Sequence, residues 1–208
     1  LIICPDTINF LNKLAVLKRN NINAKVIAIT GSSGKTTLKT LIGKTLNEYG
    51  KTYFSQKSYN NHIGVPLSLC NLENDHKYGV FEIGMSNEGE VRKLSSLVKP
   101  DIAIITNIGE AHVENFNSLN DIAKAKSEII ENIAKDGYLI LNRDDKYFKY
   151  LLKLAKKRDV NVLSFGLSST ADARLIKNRL HRNYNHLHFR VLNKNIYLKV
   201  KNINPLII

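Results

Sequence analysis

Short apolar runs alternate with longer amphipathic stretches between residues 25 and 165, and this alternation limits the folds that the chain can adopt. Apolar runs of about five residues are typical of strands buried on both faces, and apolar positions three and four apart are typical of helices. The runs predict six strands, at residues 25–30, 52–55, 78–83, 102–106, 138–142 and 161–165. Strands that alternate with helices form βαβ units, so we predict an α/β fold with a doubly wound, mostly parallel sheet.

Four helices are predicted between these strands, at residues 35–49, 88–98, 120–134 and 146–158. Asp6 has a side chain suited to cap an additional helix that runs through Lys18. After Gly166 the pattern changes to strands at residues 171–180, 186–192 and 196–200, separated by Asn-rich turns at residues 182–185 and 193–195. We therefore expect a C-terminal β-meander appended to the α/β unit.

A loop with two glycines joins the first predicted strand to the helix after it. Its sequence is Thr30-Gly31-Ser32-Ser33-Gly34-Lys35-Thr36-Thr37. Glycines let backbone N–H groups turn inward, lysine neutralises phosphate oxygens, a threonine hydroxyl binds Mg²⁺, and a helix N-terminus adds about half a positive charge. Ile29 stands where the usual P-loop has another glycine, so the pattern is a shortened one. We interpret residues 31–37 as a triphosphate site in a fold of the P-loop NTPase type; an ordinary turn is the alternative.

Chemically versatile side chains follow the ends of other predicted strands, where doubly wound sheets bind their ligands. Glu82 ends the third strand, and a buried carboxylate there needs a cation, for which Mg²⁺ held by Thr36 is suitable. His112 follows the fourth strand and is a candidate ligand of a second metal. The alternatives are a charge that reaches solvent and a structural histidine. Lys126 lies inside a predicted helix and, taken alone, indicates a solvated helix face.

Two polar segments carry side chains suited to hydrogen bonds with a ligand. Asn142 and Asp145 follow the fifth strand and could contact a ribose or adenine, although Asp144 between them would equally suit a helix N-cap. Asn60 and Asn61 lie in a polar loop that leads into a short helix. Their amides could hold an anionic substrate without adding charge.

The composition indicates a chain that can bury a core of ordinary size, because 43% of its residues are hydrophobic. No segment approaches the roughly 20 apolar residues of a membrane span, and the first residues lack the features of a signal peptide. Cys4 and Cys70 form no metal-binding spacing, which favours reduced thiols in the cytoplasm. We expect a cytoplasmic monomer without membrane insertion.

The net charge of +13 raises the question of nucleic-acid binding. Eight basic residues lie after Asp172, at Arg174, Lys177, Arg179, Arg182, Arg190, Lys194, Lys199 and Lys201. No RNA-binding motif or recognition helix accompanies them, and the Lys-, Asn- and Ile-rich composition of the whole chain favours genome bias as their origin. We expect no specific nucleic-acid partner, although the same charge would suit an anionic nucleotide-linked substrate.

Five of these segments, taken in order, resemble the ATP-dependent Mur ligases of peptidoglycan synthesis, and the resemblance covers roughly residues 5–170. Residues 30–37 resemble the family's ATP loop, and residues 60–66 its N-N-x-I-G-x-P substrate loop. Residues 106–112 correspond to T-N-I-x-x-A-H, and residues 125–128 to A-K-x-E. Residues 82–86 are similar to the E-M-G-M-S segment of the branch that joins D-alanyl-D-alanine to UDP-N-acetylmuramoyl-tripeptide.

The resemblance implies a phosphate and metal site whose catalytic residues are Lys35, Glu82, His112 and Lys126. Lys35 and Thr36 would bind the phosphates of ATP and a first Mg²⁺. Glu82 would bind the same ion, and His112 a second one. Lys126 matches the lysine that is carbamylated by CO₂ in this family, which turns a cation into an anionic ligand on the metal side.

The reaction that the resemblance implies is the formation of an amide bond. Transfer of the γ-phosphoryl group to a carboxylate makes an acyl phosphate, which an amine then attacks. Asn142 and Asp145 would contact the nucleoside, and Asn60 and Asn61 the substrate. The implied substrates are a UDP-muramyl-peptide and D-alanyl-D-alanine. A sibling ligase for another amino acid and a non-catalytic P-loop module are the alternatives.

The resemblance also implies a division of the chain. Residues 1–22 would be a helix and linker from a preceding domain, and residues 23–208 the central ATP-binding domain, with residues 167–208 as its β-rich extension. The family's C-terminal domain and its G-x-H-N segment have no match in this sequence. We therefore expect the chain alone to be inactive as a ligase.

Overall fold

The computed structural model describes residues 3–110 and 115–201. Its strands are β1 (Lys25–Thr30), β2 (Thr52–Phe54), β3 (Tyr78–Glu82), β4 (Ile102–Ile105), β5 (Tyr138–Asn142), β6 (Asn161–Gly166), β7 (Ala173–Leu180), β8 (Tyr184–Val191) and β9 (Lys194–Lys201). They form one sheet in the order β2-β3-β1-β4-β5-β6-β7-β8-β9. Strands β1 to β6 pair in parallel, whereas β7, β8 and β9 pair with one another in antiparallel fashion. The predicted α/β fold with a C-terminal meander is confirmed.

The helices are α1 (Thr7–Asn20), α2 (Lys35–Asn47), α3 (Gly64–Cys70), α4 (Glu90–Val98), α5 (Leu119–Ser127) and α6 (Phe148–Lys157), with a 3₁₀ helix at Glu128–Asn132. Asp6 caps α1 as predicted, because its Oδ1 accepts the N–H of Asn9 at 2.9 Å. In the described ranges, no helix combines the length and apolar character that crossing a membrane requires.

Some predicted boundaries are wrong for local reasons. The helix predicted at residues 120–134 divides at Glu128, whose carboxylate turns to the start of α4 and accepts the N–H groups of Gly89 and Arg92 at 2.8 and 2.9 Å. The turn between β8 and β9 consists of Leu192 and Asn193, both with positive φ. Strand β9 therefore begins two residues before the predicted start at residue 196, and β8 begins inside the turn predicted at residues 182–185.

Both faces of the parallel part of the sheet carry apolar side chains that pack against helices. In β1, Val26 and Ala28 belong to a large core that includes residues of α1 and of α3 to α6. Ile27 and Ile29 point to the opposite face, where α2 packs. Because β1 lies between β3 and β4, the loops that follow these three parallel strands meet at one edge of the sheet.

Candidate functional site

The loop between β1 and α2 bends at its two glycines. The φ angles of Gly31 and Gly34 are 143° and 78°, in the region that favours glycine. The N–H of Leu38 makes the first helical hydrogen bond of α2, to the carbonyl of Gly34 at 2.9 Å. The amides of residues 35–37 precede that bond and lie at the positive end of the helix dipole. The start of α2 therefore has the polarity of an anion site.

Residues that follow β4 hold this loop in place. Asn107 Oδ1 accepts the N–H groups of Ser32 and Ser33 at 3.1 and 3.0 Å, and Asn107 Nδ2 donates to Ser33 Oγ at 2.7 Å. Thr106 Oγ1 donates to the carbonyl of Ser33 at 2.7 Å. Ser32 Oγ exchanges two hydrogen bonds with the backbone of Gly109. The N–H groups of Ser32 and Ser33 are thus bound to Asn107. The N–H groups of residues 35–37 lie before the first hydrogen bond within α2, so they are the ones placed to bind an anion.

Replacing Gly31 with Ala should lower the free energy of unfolding by about 2–3 kcal/mol through backbone strain and overpacking. A Cβ at this position would lie 1.9 Å from Thr106 Oγ1, and the φ of 143° is already unfavourable for alanine. Gly89→Ala is the matched control, because Gly89 has a φ of 88° but open space where a methyl group would be added, so about 1 kcal/mol is expected. Urea unfolding measures both losses, and equal values would contradict the packing argument.

Glu82 is the centre of a polar cluster at the end of β3. Its side chain is 2% exposed. Thr36 Oγ1 donates to Oε2 at 2.8 Å, and Asn60 Nδ2 donates to Oε1 at 2.7 Å. Lys39 Nζ lies 3.6 Å from Oε2, and Ser58 Oγ lies 3.1 Å from Thr36 Oγ1. Carboxylate and hydroxyl oxygens are the ligand type that Mg²⁺ prefers, so Glu82 and Thr36 fit this ion chemically.

Lys39 was not among the residues predicted from the sequence, although its ammonium takes part in this cluster. The Lys39 side chain has no exposed surface, and its Nζ donates to Ser55 Oγ at 3.1 Å and to the carbonyl of Lys57 at 2.8 Å. Its position carried a signal, because a residue three after Thr36 lies on the same helix face. A lysine on the face that begins at the phosphate loop could have been identified in this way.

Lys35 and Lys126 have lowered pKa values because both are partly or fully withdrawn from water. Lys35 Nζ donates to the carbonyl of Gly31 at 2.8 Å; burial lowers the pKa of Lys35, and the nearby charge of Glu82 opposes this. Lys126 is 2% exposed, and burial, with a smaller contribution from Lys35, lowers its pKa from 10.5 to about 7. The alternative that Lys126 belongs to a solvated helix face is therefore wrong.

The two predicted substrate asparagines both have partners within the protein. Asn60 binds Glu82 through its side chain, and its carbonyl accepts the N–H of Gly84 at 2.8 Å. Asn61 Oδ1 accepts the N–H groups of Ile63 and Gly64 at 3.2 and 2.8 Å, at the start of the predicted short helix α3. Asn60 therefore belongs to the Glu82 cluster, whereas the Asn61 oxygen shapes the loop.

The predicted nucleoside residues connect neighbouring loops. Asp145 accepts the N–H of Ile108 at 2.7 Å through Oδ2 and that of Tyr147 at 2.8 Å through Oδ1, so it joins the loops after β4 and β5. Asn142 Oδ1 accepts the N–H of Asp144 at 3.0 Å. Asp144 is not a helix cap: α6 has Tyr147 at its N-cap, and the Asp144 carboxylate accepts amides of the loop after β6.

A cavity of about 390 Å³ adjoins the phosphate loop. Apolar side chains from α2, β4, β5 and β6 line it together with polar groups of the two loops; the lining residues are Ser33, Gly34, Leu38, Ile104, Thr106, Asn107, Ile140 and Phe165. An apolar wall beside an anion site is the arrangement that a nucleotide needs. Neither Asn142 nor Asp145 is among the residues that line this cavity.

His112 lies outside the described residues, so its predicted role on a second metal stays a prediction. Within residues 3–110 and 115–201, the group of side chains with metal-binding spacing is Glu73, Asp75 and His76. The two carboxylates are exposed, and Lys51 already pairs with both of them. That group lies at a different position from the Glu82 cluster and is explained by the ion pairs.

The basic residues after Asp172 extend along the meander. The strand register places Arg179, His186 and Lys199 side by side, and Lys199 Nζ lies 4.1 Å from the centre of the Tyr184 ring. These strands are separated from β1 by β4, β5 and β6 in the sheet. The charge is therefore remote from the phosphate loop, and the expectation of no specific nucleic-acid partner stays a prediction.

The family model described as the Mur ligase middle domain matches residues 29–203. The chain belongs to the Mur ligase family. The UDP-N-acetylmuramoyl-tripeptide--D-alanyl-D-alanine ligase of Rickettsia prowazekii (strain Madrid E) is 37% identical over 201 residues, which are 96% of this Mur ligase chain and 45% of that protein. The ligase of the same name from Bacillus subtilis (strain 168) is 40% identical over 144 residues, which are 69% of this chain and 32% of that protein.

Solved structures with the same fold include MurF of Acinetobacter baumannii, at a TM-score of 0.88 and 32% identity over 95% of this chain and 43% of that one. MurF ligase of Thermotoga maritima in complex with ADP has a TM-score of 0.85 at 27% identity, over 95% of this chain and 45% of that one. This Mur ligase chain therefore spans less than half the length of the relatives that it matches.

Proposed function

We propose that this chain is the ATP-binding part of a ligase that joins D-alanyl-D-alanine to UDP-N-acetylmuramoyl-tripeptide through an acyl phosphate. The observation that carries the proposal is the contact between Thr36 and Glu82, which brings a hydroxyl and a carboxylate together at the start of α2. The names of the relatives from Rickettsia prowazekii and Bacillus subtilis support this choice of substrates. We assign residues 23–208 to the central domain and residues 1–22 to a helix and linker that lead into it.

Residues at the start of α2 would bind the phosphates. The amides of residues 35–37 point from a helix N-terminus, and Lys35 lies beside them with its ammonium on the loop carbonyl of Gly31. Lys35 would exchange that carbonyl for phosphate oxygens, which are stronger acceptors. Thr36 and Glu82 would hold Mg²⁺, which stabilises negative charge on a phosphoryl group in transfer.

The cavity of about 390 Å³ is the proposed location of the nucleoside. Ile140 and Phe165 would pack against the base, and Thr106 and Asn107 would lie between the base and the phosphates. Asn142 and Asp145 would act on the nucleoside side of the site, where Asp145 fixes the loop that contains Asn107 through its bond to Ile108.

Lys126 is proposed to carry a carbamate, with His112 on a second metal. Only a neutral amine attacks CO₂, and a pKa of about 7 leaves much of Lys126 neutral near physiological pH. The amine nitrogen forms a bond to the carbon of CO₂ and releases its proton to solvent, which leaves an anion. The repulsion between Lys35 and Lys126 would then become an attraction.

Substituting Lys35 with Ala tests the nucleotide proposal. We expect the affinity of the 208-residue chain for Mg-ATP to fall about 10- to 100-fold, because a hydrogen bond to a charged group contributes roughly 1.5–3 kcal/mol. Lys25→Ala is the control, since Lys25 is exposed at the opposite end of β1 and pairs with Asp101 at 2.9 Å. Calorimetric titration measures both, and a Lys35→Ala affinity equal to that of the wild type would contradict the proposal.

A further inference from the structure

Lys39 is fully buried, yet phosphate binding and metal binding as described above do not use it. Lysine is among the residues that are least often buried, so its burial needs partners. The partners of its Nζ are Ser55 Oγ at 3.1 Å, the carbonyl of Lys57 at 2.8 Å and Glu82 Oε2 at 3.6 Å. They come from the segment after β2 and from the end of β3, so a single ammonium connects α2 to both.

We propose that Lys39 is a positioning residue for the metal–nucleotide site, and this inference rests on the proposed function. Its ammonium compensates the charge of Glu82 and fixes the segment 55–58, so that the Glu82 carboxylate meets Thr36 before Mg²⁺ binds. The assignment concerns how the metal ligand is held. Lys39 itself is given no contact with phosphate or metal.

The contact geometry suits this role. The distance of 3.6 Å from Nζ to Oε2 is longer than a hydrogen bond, so the ammonium acts on Glu82 as a charge. Its two hydrogen bonds go to Ser55 and Lys57 instead. Lys39 therefore does not occupy Oε2 with a hydrogen bond, and this oxygen can bind either Thr36 or a metal ion. The ammonium would keep its hydrogen bonds to Ser55 and Lys57 when a metal ion replaced Thr36 at Oε2.

The same ammonium orders the segment that brings Ser58 to the site. Ser55 Oγ donates to the Lys57 carbonyl at 2.9 Å, and Lys39 binds both of these groups. The next residue, Ser58, places its Oγ 3.1 Å from Thr36 Oγ1. Thr36 and Lys39 lie about one helical turn apart on α2, so the helix holds both ends of this arrangement.

Removing the Lys39 charge should redirect Glu82. Without that charge, the Glu82 carboxylate would be free to leave Thr36, and one of the two proposed Mg²⁺ ligands would be lost from the site. The gain in ATP affinity that Mg²⁺ provides should therefore fall. The affinity for ATP without metal should change little, because Lys39 is given no contact with the phosphates.

The test compares ATP binding to the 208-residue chain by calorimetry in EDTA and in excess Mg²⁺. Lys39→Met keeps a similar length without the charge, and we expect the gain in affinity from Mg²⁺ to fall at least about tenfold, with less than about threefold change in EDTA. Arg19→Met is the matched control: Arg19 is largely buried and binds the carbonyls of Val98 and Lys99 near Asp101. It should lower the melting temperature without changing the gain from Mg²⁺.

Ser55→Ala is the second variant, because it removes one partner of the ammonium and keeps the charge. It should reduce the gain from Mg²⁺ by about two- to fivefold, and it tests the inference even if Lys39→Met does not fold. The inference would be overturned if Lys39→Met and Ser55→Ala both gained as much ATP affinity from Mg²⁺ as the wild type does. It would also be overturned if a variant lost equal affinity in EDTA and in Mg²⁺. Failure of the wild-type chain itself to bind Mg-ATP would instead overturn the proposed function, and the inference with it.

Discussion

Replacing Glu82 with Gln is expected to lower the free energy of unfolding by about 3–5 kcal/mol in the absence of nucleotide and metal. The Lys39 side chain is 0% exposed and that of Glu82 is 2% exposed, with 3.6 Å between Nζ and Oε2. Glutamine can still accept from Asn60 Nδ2 through its oxygen, and its Nε2 can donate to Thr36 Oγ1 in place of the hydrogen bond that Thr36 donates to Glu82, but it removes the charge. The ammonium of Lys39 would then remain buried with two neutral acceptors, which compensate its charge incompletely.

The double variant Lys39→Met/Glu82→Gln separates the cost of an unpaired buried charge from the cost of poorer side-chain packing. Replacing a buried ion pair with groups of similar volume is often nearly neutral, so the double variant should be more stable than Glu82→Gln alone by about 2 kcal/mol or more. Lys124→Met in the exposed pair with Glu88 is the surface control and should leave stability nearly unchanged, because water screens that pair. Denaturant unfolding measures all of these values, and strictly additive losses at residues 39 and 82 would show that the two charges are not coupled.

The fold was predictable because buried parallel strands leave a direct pattern in the sequence. Val26, Ala28, Ile27 and Ile29 are apolar in succession because β1 has helices on both faces. Boundaries were less predictable where one distant contact or an unusual backbone angle decides them. Glu128 turns to α4, and Leu192 adopts a φ of 45°, although leucine is not typical of such a turn.

The phosphate loop and Glu82 could be identified because both lie next to apolar strands. Lys39 does not follow a strand, and its only local signal is its place one helical turn after Thr36, which an isolated lysine that faces solvent would share. Its burial requires β3 to lie beside β1, which brings Glu82 to α2. The hydrogen bonds from Ser32 and Ser33 to Asn107, which hold the phosphate loop, likewise depend on the pairing of β1 with β4. Such roles arise from the strand order, which local patterns do not contain.

The local alternatives also show why side-chain type is a weak guide to role. Asn61 has the polarity of a substrate ligand, but its oxygen accepts two amides of its own loop. Asp144 has the side chain of a helix cap, yet it binds the loop after β6 because that strand pairs with β5. Hydrogen bonds within the protein occupy the oxygens of both side chains, which the residue type alone does not reveal, and the substrate role of Asn61 stays a prediction.

Replacing Lys126 with Met is expected to stabilise the chain below about pH 7, by an amount on the order of 4 kcal/mol. Burial, with a smaller contribution from Lys35, lowers the pKa of Lys126 from 10.5 to about 7 in the folded chain. Below about pH 7 the wild-type chain holds a buried ammonium at full cost. Between about pH 7 and pH 10 the unfolded chain binds more protons at this position, so wild-type stability rises with pH relative to the variant. The difference between the two proteins should therefore approach zero only above about pH 10.5, the ordinary pKa of lysine.

Urea unfolding of both proteins at a series of pH values measures this difference, and a constant difference would show that the Lys126 ammonium carries no burial cost. Bicarbonate provides the second arm of the experiment. At about pH 8 the neutral amine can bind CO₂, and the carbamate anion would lie near the charge of Lys35, so bicarbonate should stabilise the wild type by mass action. The Lys126→Met variant has no amine at this position and should not respond. A response of equal size in both proteins would assign the stabilisation to general salt effects, and it would remove the support for a carbamate at Lys126.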